Sequence, residues 1–200
     1  MTRVVFDIGG SKTRVGVSQD GKRLDAHDSF PTPADPKAGL KTLQALANKL
    51  AGGKIVAAAG GIRGVLREDR LGIEHDALLA SWVGTDVAGT LARAFLIPVH
   101  LENDTALAGL GEAAVGAGQG IDLVVYHTIS TGVGGVKVVR GQIDLASAGF
   151  EPGHQILDFD RSFLGSETLP TLENLVSGAS LERARGVKPY EIPQDDDIWT

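Results

Sequence analysis

The chain has no cysteine. That absence excludes a disulfide framework and any zinc or iron–sulfur centre built on thiolates, and it accords with the cytosol. It also lacks any run of lysine and arginine: 19 basic residues face 25 acidic ones, a net charge of -6. Without a basic stripe there is no electrostatic footprint for nucleic acid. No apolar run is long enough to span a bilayer, and Met1-Thr2-Arg3 opens straight into a strand pattern with no apolar signal segment. These absences predict a soluble cytoplasmic protein with neither nucleic acid nor membrane as partner. What remains is a 200-residue chain, 42% hydrophobic and 22% charged, with material for one large core or two small ones.

The start of the chain carries the sharpest signal. Arg3 to Ile8 reads as an apolar strand that delivers Asp7 into Gly9-Gly10-Ser11-Lys12, and Thr13 to Val17 reads as a second strand. Glycines let backbone approach a ligand, and successive N–H groups in such a turn form an anion nest. An aspartate at the strand end suits Mg²⁺ or its bound water. An ordinary Gly-Gly hairpin explains the same residues equally well. Asp20-Gly21 predicts a further turn before a strand over Lys22 to Phe30, and the three prolines of Pro31 to Lys37 predict a loop. Leu40, Leu43, Ala47 and Leu50 recur at helical spacing up to Gly52-Gly53, and Ile55 to Ala59 is a short buried strand. Strands and loops are expected from Arg63 to Trp82, a helix over Asp86 to Leu96, a strand over Val99 to Glu102, then another helix.

Asp122 to Ile129 reads as a strongly buried strand. It leads into a second glycine turn, Ser130-Thr131-Gly132-Val133-Gly134-Gly135, and a strand over Val136 to Val139. Helices are expected over Leu169 to Val176 and Ser180 to Arg185. The second turn matches neither a P-loop nor a dinucleotide fingerprint, and alone it is a glycine-rich hairpin. Paired with the first, it suggests two related lobes that each offer a phosphate-binding turn. Between the turns lies Glu102-Asn103-Asp104. A carboxylate at a strand-to-helix junction is a helix cap in the plain reading. It is a general base in the functional one, accepting a hydroxyl proton during phosphoryl transfer. The expected architecture is α/β of the actin-like ATPase (ribonuclease H-like) type, with two lobes about a cleft. The first lobe spans 1–105 and the second, left incomplete, 106–200.

These residues resemble the ROK family of repressors, open reading frames and sugar kinases. Asp7-Ile8-Gly9-Gly10-Ser11-Lys12 is similar to its first phosphate motif and Leu101-Glu102-Asn103-Asp104 to its Val-Glu-Asn-Asp motif. Ser130 to Gly135 resembles its second phosphate motif, and Glu151-Pro152-Gly153-His154 its Glu-Ile-Gly-His sugar motif. Glu173 stands four residues before Ser177-Gly178, as the family's glutamate does. Each motif is weak alone; five in family order across nearly the whole chain are specific. The resemblance implies Asp104 as catalytic base and Asn103, Glu151, His154 and Glu173 as ligands of sugar hydroxyls. It implies Asp7 near Mg²⁺ through water, and Gly9, Gly10, Ser11, Lys12, Thr131, Gly132 and Gly134 at the phosphates. Gly61 and the His75–Asp76 region align loosely with further sugar-loop positions.

The chain also departs from the family. Where many members carry zinc-binding cysteines, Leu164, Ser166 and Thr171 stand here, so no zinc is expected. His154 then needs another means of being fixed, for which Pro152 is a candidate. Lys137 interrupts an apolar strand and is expected to face solvent rather than a phosphate. Family kinases continue well beyond this length, and Trp199 in the acidic end segment would ordinarily seek burial, so the sequence reads as a fragment or a shortened member. The family's DNA-binding helix-turn-helix is not in it, which speaks against a repressor. The resemblance implies an ATP- and Mg²⁺-dependent hexose kinase, glucokinase-like, acting on the 6-hydroxyl; family members are often homodimers. The alternatives are a sugar-binding module without turnover, or another actin-like ATPase. Which hexose, and whether ATP or polyphosphate is the donor, stay open at the level of sequence.

Overall fold

The computed structural model describes residues 1–144, 150–162 and 164–199. The chain divides into two compact units, Met1–Leu107 and Ala108–Thr200.

The first unit is built on a five-stranded sheet. Strands β1 (Thr2–Ile8), β2 (Lys12–Ser18) and β3 (Ala26–Pro31) form an antiparallel meander, and β4 (Ile55–Ile62) and β7 (Val99–Asn103) add in parallel, in the order β3-β2-β1-β4-β7. Helices α1 (Pro36–Ala51) and α2 (Val87–Phe95) supply the other half of its core. Val4, Phe6, Ile8, Val15 and Val17 are buried together with Leu40, Leu43, Ala47 and Leu91. Alternation along β1 leaves Arg3, Val5 and Asp7 on the opposite face. Each fully buried large aliphatic contributes about 1.5–3 kcal/mol, which sets the scale of this core.

Local chemistry fixes the ends of α1. Asp35 accepts from the N–H of Lys37 (3.0 Å) and Ala38 (3.3 Å), Pro36 occupies the first turn, and Gly52 closes the helix at φ 57°. The loop before α1 is anchored by Trp82, 1% exposed, whose Nε1 donates to Pro33 O at 3.0 Å. A side chain at Gly60 would meet the Phe6 ring at 2.2 Å, so only glycine lets the ring lie across β4. Strand β3 starts at Ala26 rather than at Lys22 as the sequence predicts. The Asp20 carboxylate takes the N–H of Lys22 (2.8 Å) and Arg23 (3.0 Å), which holds those residues in a turn. Beyond β4, the chain makes a short hairpin of β5 (Val65–Leu66) and β6 (Ile73–His75).

Helix α3 (Asp104–Val115) leads from the first unit into the second. There β8 (Leu123–Ile129), β9 (Val133–Val139) and β10 (Gln142–Ile143) form an antiparallel sheet in the order β10-β9-β8, followed by α4 (Leu172–Val176) and α5 (Gly178–Arg185). The expectation of a strongly buried strand at 122–129 is corrected. β8 is an edge strand with alternating exposure, and Leu123, Val125 and Ile129 are exposed. Its apolar run imitates a strand covered on both faces. Strand β9 begins three residues earlier than expected because Gly134 and Gly135 pair with Thr128 and His127 instead of forming a turn. Helix α4 starts at Leu172 rather than Leu169, since Thr171 is its cap, accepting from Asn174 N–H at 3.3 Å. Lys137 does not reach into solvent alone: its Nζ pairs with Asp144 at 2.7 Å. Trp199 is 46% exposed and donates to Pro193 O at 2.8 Å. Among the described residues no helix is long and apolar enough to cross a membrane.

Candidate functional site

In the first unit the first glycine turn is the β1–β2 hairpin itself, with Ile8 paired to Thr13. Gly9 N–H donates to Lys12 O at 3.1 Å, and a Cβ at Gly9 would already lie 3.0 Å from that oxygen. Thr32 braces the turn twice: its N–H donates to Ser11 O (3.1 Å) and its hydroxyl to Gly9 O (2.8 Å). Ser11 and Lys12 are exposed. Asp7 stands on the open sheet face, and Arg14 from β2 donates to its Oδ2 at 2.7 Å. Any metal-bound water would share that carboxylate with Arg14.

The corner between β7 and α3 holds the acidic motif. Asn103 Oδ1 accepts Ala106 N–H at 3.1 Å, so Asn103, and not Asp104, caps α3. The capping reading of Asp104 is therefore set aside. Asn103 Nδ2 donates to Gly64 O at 3.1 Å, which ties the corner to the loop after β4. Among the described residues Asp104 accepts only from its neighbour, Thr105 N–H, at 2.7 Å. Its Cα lies 3.3 Å from where a Gly61 Cβ would be, and Gly61 pairs with Asp7 in β1. Asp7 and Asp104 thus flank Gly61, two hard oxygen donors of the kind Mg²⁺ takes. Glu102 is held by Arg70 from the β5–β6 hairpin and accepts Asn103 N–H at 2.9 Å.

Below the first turn lies Asp76, 8% exposed. Its Oδ1 accepts the N–H of Leu78 (2.8 Å) and Leu79 (2.7 Å), and its Oδ2 accepts Arg63 Nε at 2.9 Å. Burial pushes the carboxyl upward. The hydrogen bond from Arg63 and those from the two amides outweigh it and hold Asp76 below the ordinary carboxylate range.

In the second unit the predicted residues gather around the β8–β9 hairpin. Glu173 Oε2 accepts Val133 N–H at 2.8 Å and lies 2.6 Å from where a Gly132 Cβ would be. One amide of the expected phosphate nest is therefore taken by a carboxylate. Gly178 N–H and Ala179 N–H donate to Ser130 O (2.7 Å) and Thr131 O (3.1 Å). Glu151 precedes a 3-10 turn over Pro152–His154, His154 is its last residue, and both are exposed. A Cβ at Gly153 would meet Val133 O at 2.4 Å and one at Gly135 would meet Pro152 Cγ at 2.6 Å, so this turn lies tight against β9. The segment after it is laced to the chain before α4. Leu172 N–H donates to Gln155 O (2.8 Å), Leu157 N–H to Pro170 O (2.8 Å), and Ile156 bridges Thr171. Backbone pairing therefore holds the His154 loop beside Thr171. Asp158, 2% exposed, takes Leu164 N–H at 2.9 Å.

The model of the ROK family matches residues 3–198. The chain belongs to the ROK family. A glucokinase of Streptomyces coelicolor is 30% identical over 199 residues, covering 96% of this chain and 61% of its own length. A fructokinase of Lactococcus lactis subsp. cremoris is 25% identical, covering 97% of this chain and 68% of its own. Among solved structures, the ROK hexokinase from Thermus thermophilus superposes with a TM-score of 0.75 at 33% identity, over 92% of this chain and 63% of that one. The ROK glucokinase from Streptomyces griseus, solved with glucose and AMPPNP, gives 0.69 at 26% identity, over 92% and 59%. This ROK chain thus spans about three fifths to two thirds of the length of these relatives, and its α/β architecture is the family's actin-like fold. Four residues escaped the sequence reading: Thr32, Arg14, Arg63 and Arg70. Each acts across the fold on a motif residue or its neighbour, and no local spacing marks such pairs.

Proposed function

We propose that this ROK protein is a sugar kinase that moves the terminal phosphoryl group of ATP to a hexose hydroxyl, with the 6-hydroxyl of glucose as the leading acceptor. The observation that carries the reading is Asp104. Asn103 does the capping of α3, and Asp104 keeps its second carboxylate oxygen at a corner lined by Gly61 and Asp7. A carboxylate so placed can accept the proton of the attacking hydroxyl as the new O–P bond forms and the bond to the ADP oxygen breaks. Asn103, Glu151, His154 and Glu173 are assigned to sugar hydroxyls, each of which both donates and accepts. Gly9 to Lys12 are assigned to phosphate oxygens, with Thr131, Gly132 and Gly134 as the second phosphate element. Mg²⁺ would sit with the phosphates, held by Asp7 through water, and would neutralise their charge.

The test is hexose-dependent ADP release by this chain with Mg·ATP and a panel of hexoses. Replacement of Asp104 by Asn should lower kcat by about 10²–10⁴-fold while sugar binding persists. Near-normal turnover in D104N would remove Asp104 from the base role. Saturable sugar binding without turnover in the unsubstituted chain would favour the sugar-binding module instead.

A further inference from the structure

Arg63 lies where the first glycine turn and the Asn103–Asp104 corner come together. It follows β4 directly, and its N–H donates to Ile8 O at 3.3 Å, one residue before Gly9. Its Cδ is 3.4 Å from the point a Gly10 Cβ would occupy, so its stem runs along the bare backbone of the turn. The next residue, Gly64, receives Asn103 Nδ2 at 3.1 Å. The guanidinium is held at one position only, Nε on Asp76 at 2.9 Å, and Asp76 is itself locked by two backbone amides. Among the described residues neither terminal nitrogen has a hydrogen-bond partner, and the side chain is 37% exposed.

We propose that Arg63 is a contact for phosphoryl oxygens at the first glycine turn, presenting its two terminal nitrogens as a fork. A guanidinium anchored through Nε keeps the opposite edge for two parallel N–H···O bonds, the geometry that matches a phosphate. The buried carboxylate fixes the plane of the fork in advance, so little rotamer freedom is lost on binding. Gly10 supplies the close approach: a Cβ there would touch the Arg63 stem and crowd Leu78, whose Cβ would lie 3.1 Å away. Arg63 gives and takes no proton. It counters charge on oxygens that the backbone amides of the turn reach only as dipoles. The inference rests on the kinase reading and deepens it, since the anion is either the donor's terminal phosphoryl group or a phosphate already on the sugar.

Calorimetric titration of the whole chain with Mg·tripolyphosphate, glucose 6-phosphate and glucose separates these cases. Arg63→Met should weaken whichever phosphate ligand binds there by about ten- to a hundredfold. Glucose affinity should stay within about twofold, because glucose offers no charged partner for the fork. The melting temperature reads any structural role separately. Arg63→Lys should recover only part of the loss, since a point charge replaces a fork. Loss confined to tripolyphosphate names the donor; loss confined to glucose 6-phosphate names the sugar phosphate. Equal anion affinity in R63M overturns the proposal, as does an unsubstituted chain that binds glucose but neither anion. Arg63-dependent anion binding without any hexose binding would instead support the site and overturn the hexose-kinase reading.

Discussion

Glu173 Oε2 accepts the backbone N–H of Val133 at 2.8 Å, so a carboxylate from α4 closes the tip of the β8–β9 hairpin. The same oxygen occupies the space beside Gly132 where any other residue would put its Cβ. Gly132→Ala should push the carboxylate off Val133 and leave that amide without its partner, at a cost of about 1–3 kcal/mol. Thermal denaturation would register the loss, and a glucose titration should weaken in parallel. A variant with unchanged melting and unchanged sugar affinity would separate Glu173 from the turn.

Asn103 works twice, as the cap on Ala106 and as the donor to Gly64 O. Asn103→Ser keeps a capping hydroxyl but is too short for Gly64, whereas Asn103→Ala loses both. Urea denaturation should rank the alanine variant below the serine variant by about 1 kcal/mol, the usual worth of a cap. Equal midpoints for the two would show that the cap carries no stability here.

Asp76 gives the chain an acid limit. Its carboxyl is lower in the folded chain than in the unfolded one. Ionised Asp76 therefore stabilises the fold above the unfolded value of about 3.9. That contribution disappears as pH falls through this value toward the lower folded one. Melting temperatures measured from pH 6 to pH 3 should drop less steeply in Asp76→Asn than in the unsubstituted chain. Parallel curves would assign the acid sensitivity to other carboxylates.

Leu96 ends α2 in the left-handed region at φ 57° while 88% exposed. It carries the backbone cost of that conformation and buries almost nothing in return. Leu96→Gly should stabilise the first unit by about 1 kcal/mol, visible as a higher melting temperature. A lower one would mean that the leucine is covered in the working protein.

Much of the first unit was legible because its signals are local. An apolar run before the paired glycines marked β1, the residues straight after the turn marked β2, helical spacing marked α1, and the order of the motifs brought the family into view. The same locality explains the failures. Lys22 to Asp25 look like strand residues, and only the Asp20 side chain turns them away. Asp122 to Ile129 looks buried because sequence does not reveal that β8 sits at a sheet edge. Asp104 looked like a cap until Asn103 was seen to fill that position. Arg63 carries no motif at all; its place beside Gly10 comes from the parallel pairing of β1 and β4.

The lacing of Gln155, Ile156 and Leu157 to Pro170, Thr171 and Leu172 also bears on how this protein reaches its working form. Main-chain pairing ties the loop after His154 to the first residues of α4. It is complete when α4 docks, and it comes apart when α4 undocks. Its order is then governed by temperature and solvent, as part of the folding equilibrium itself.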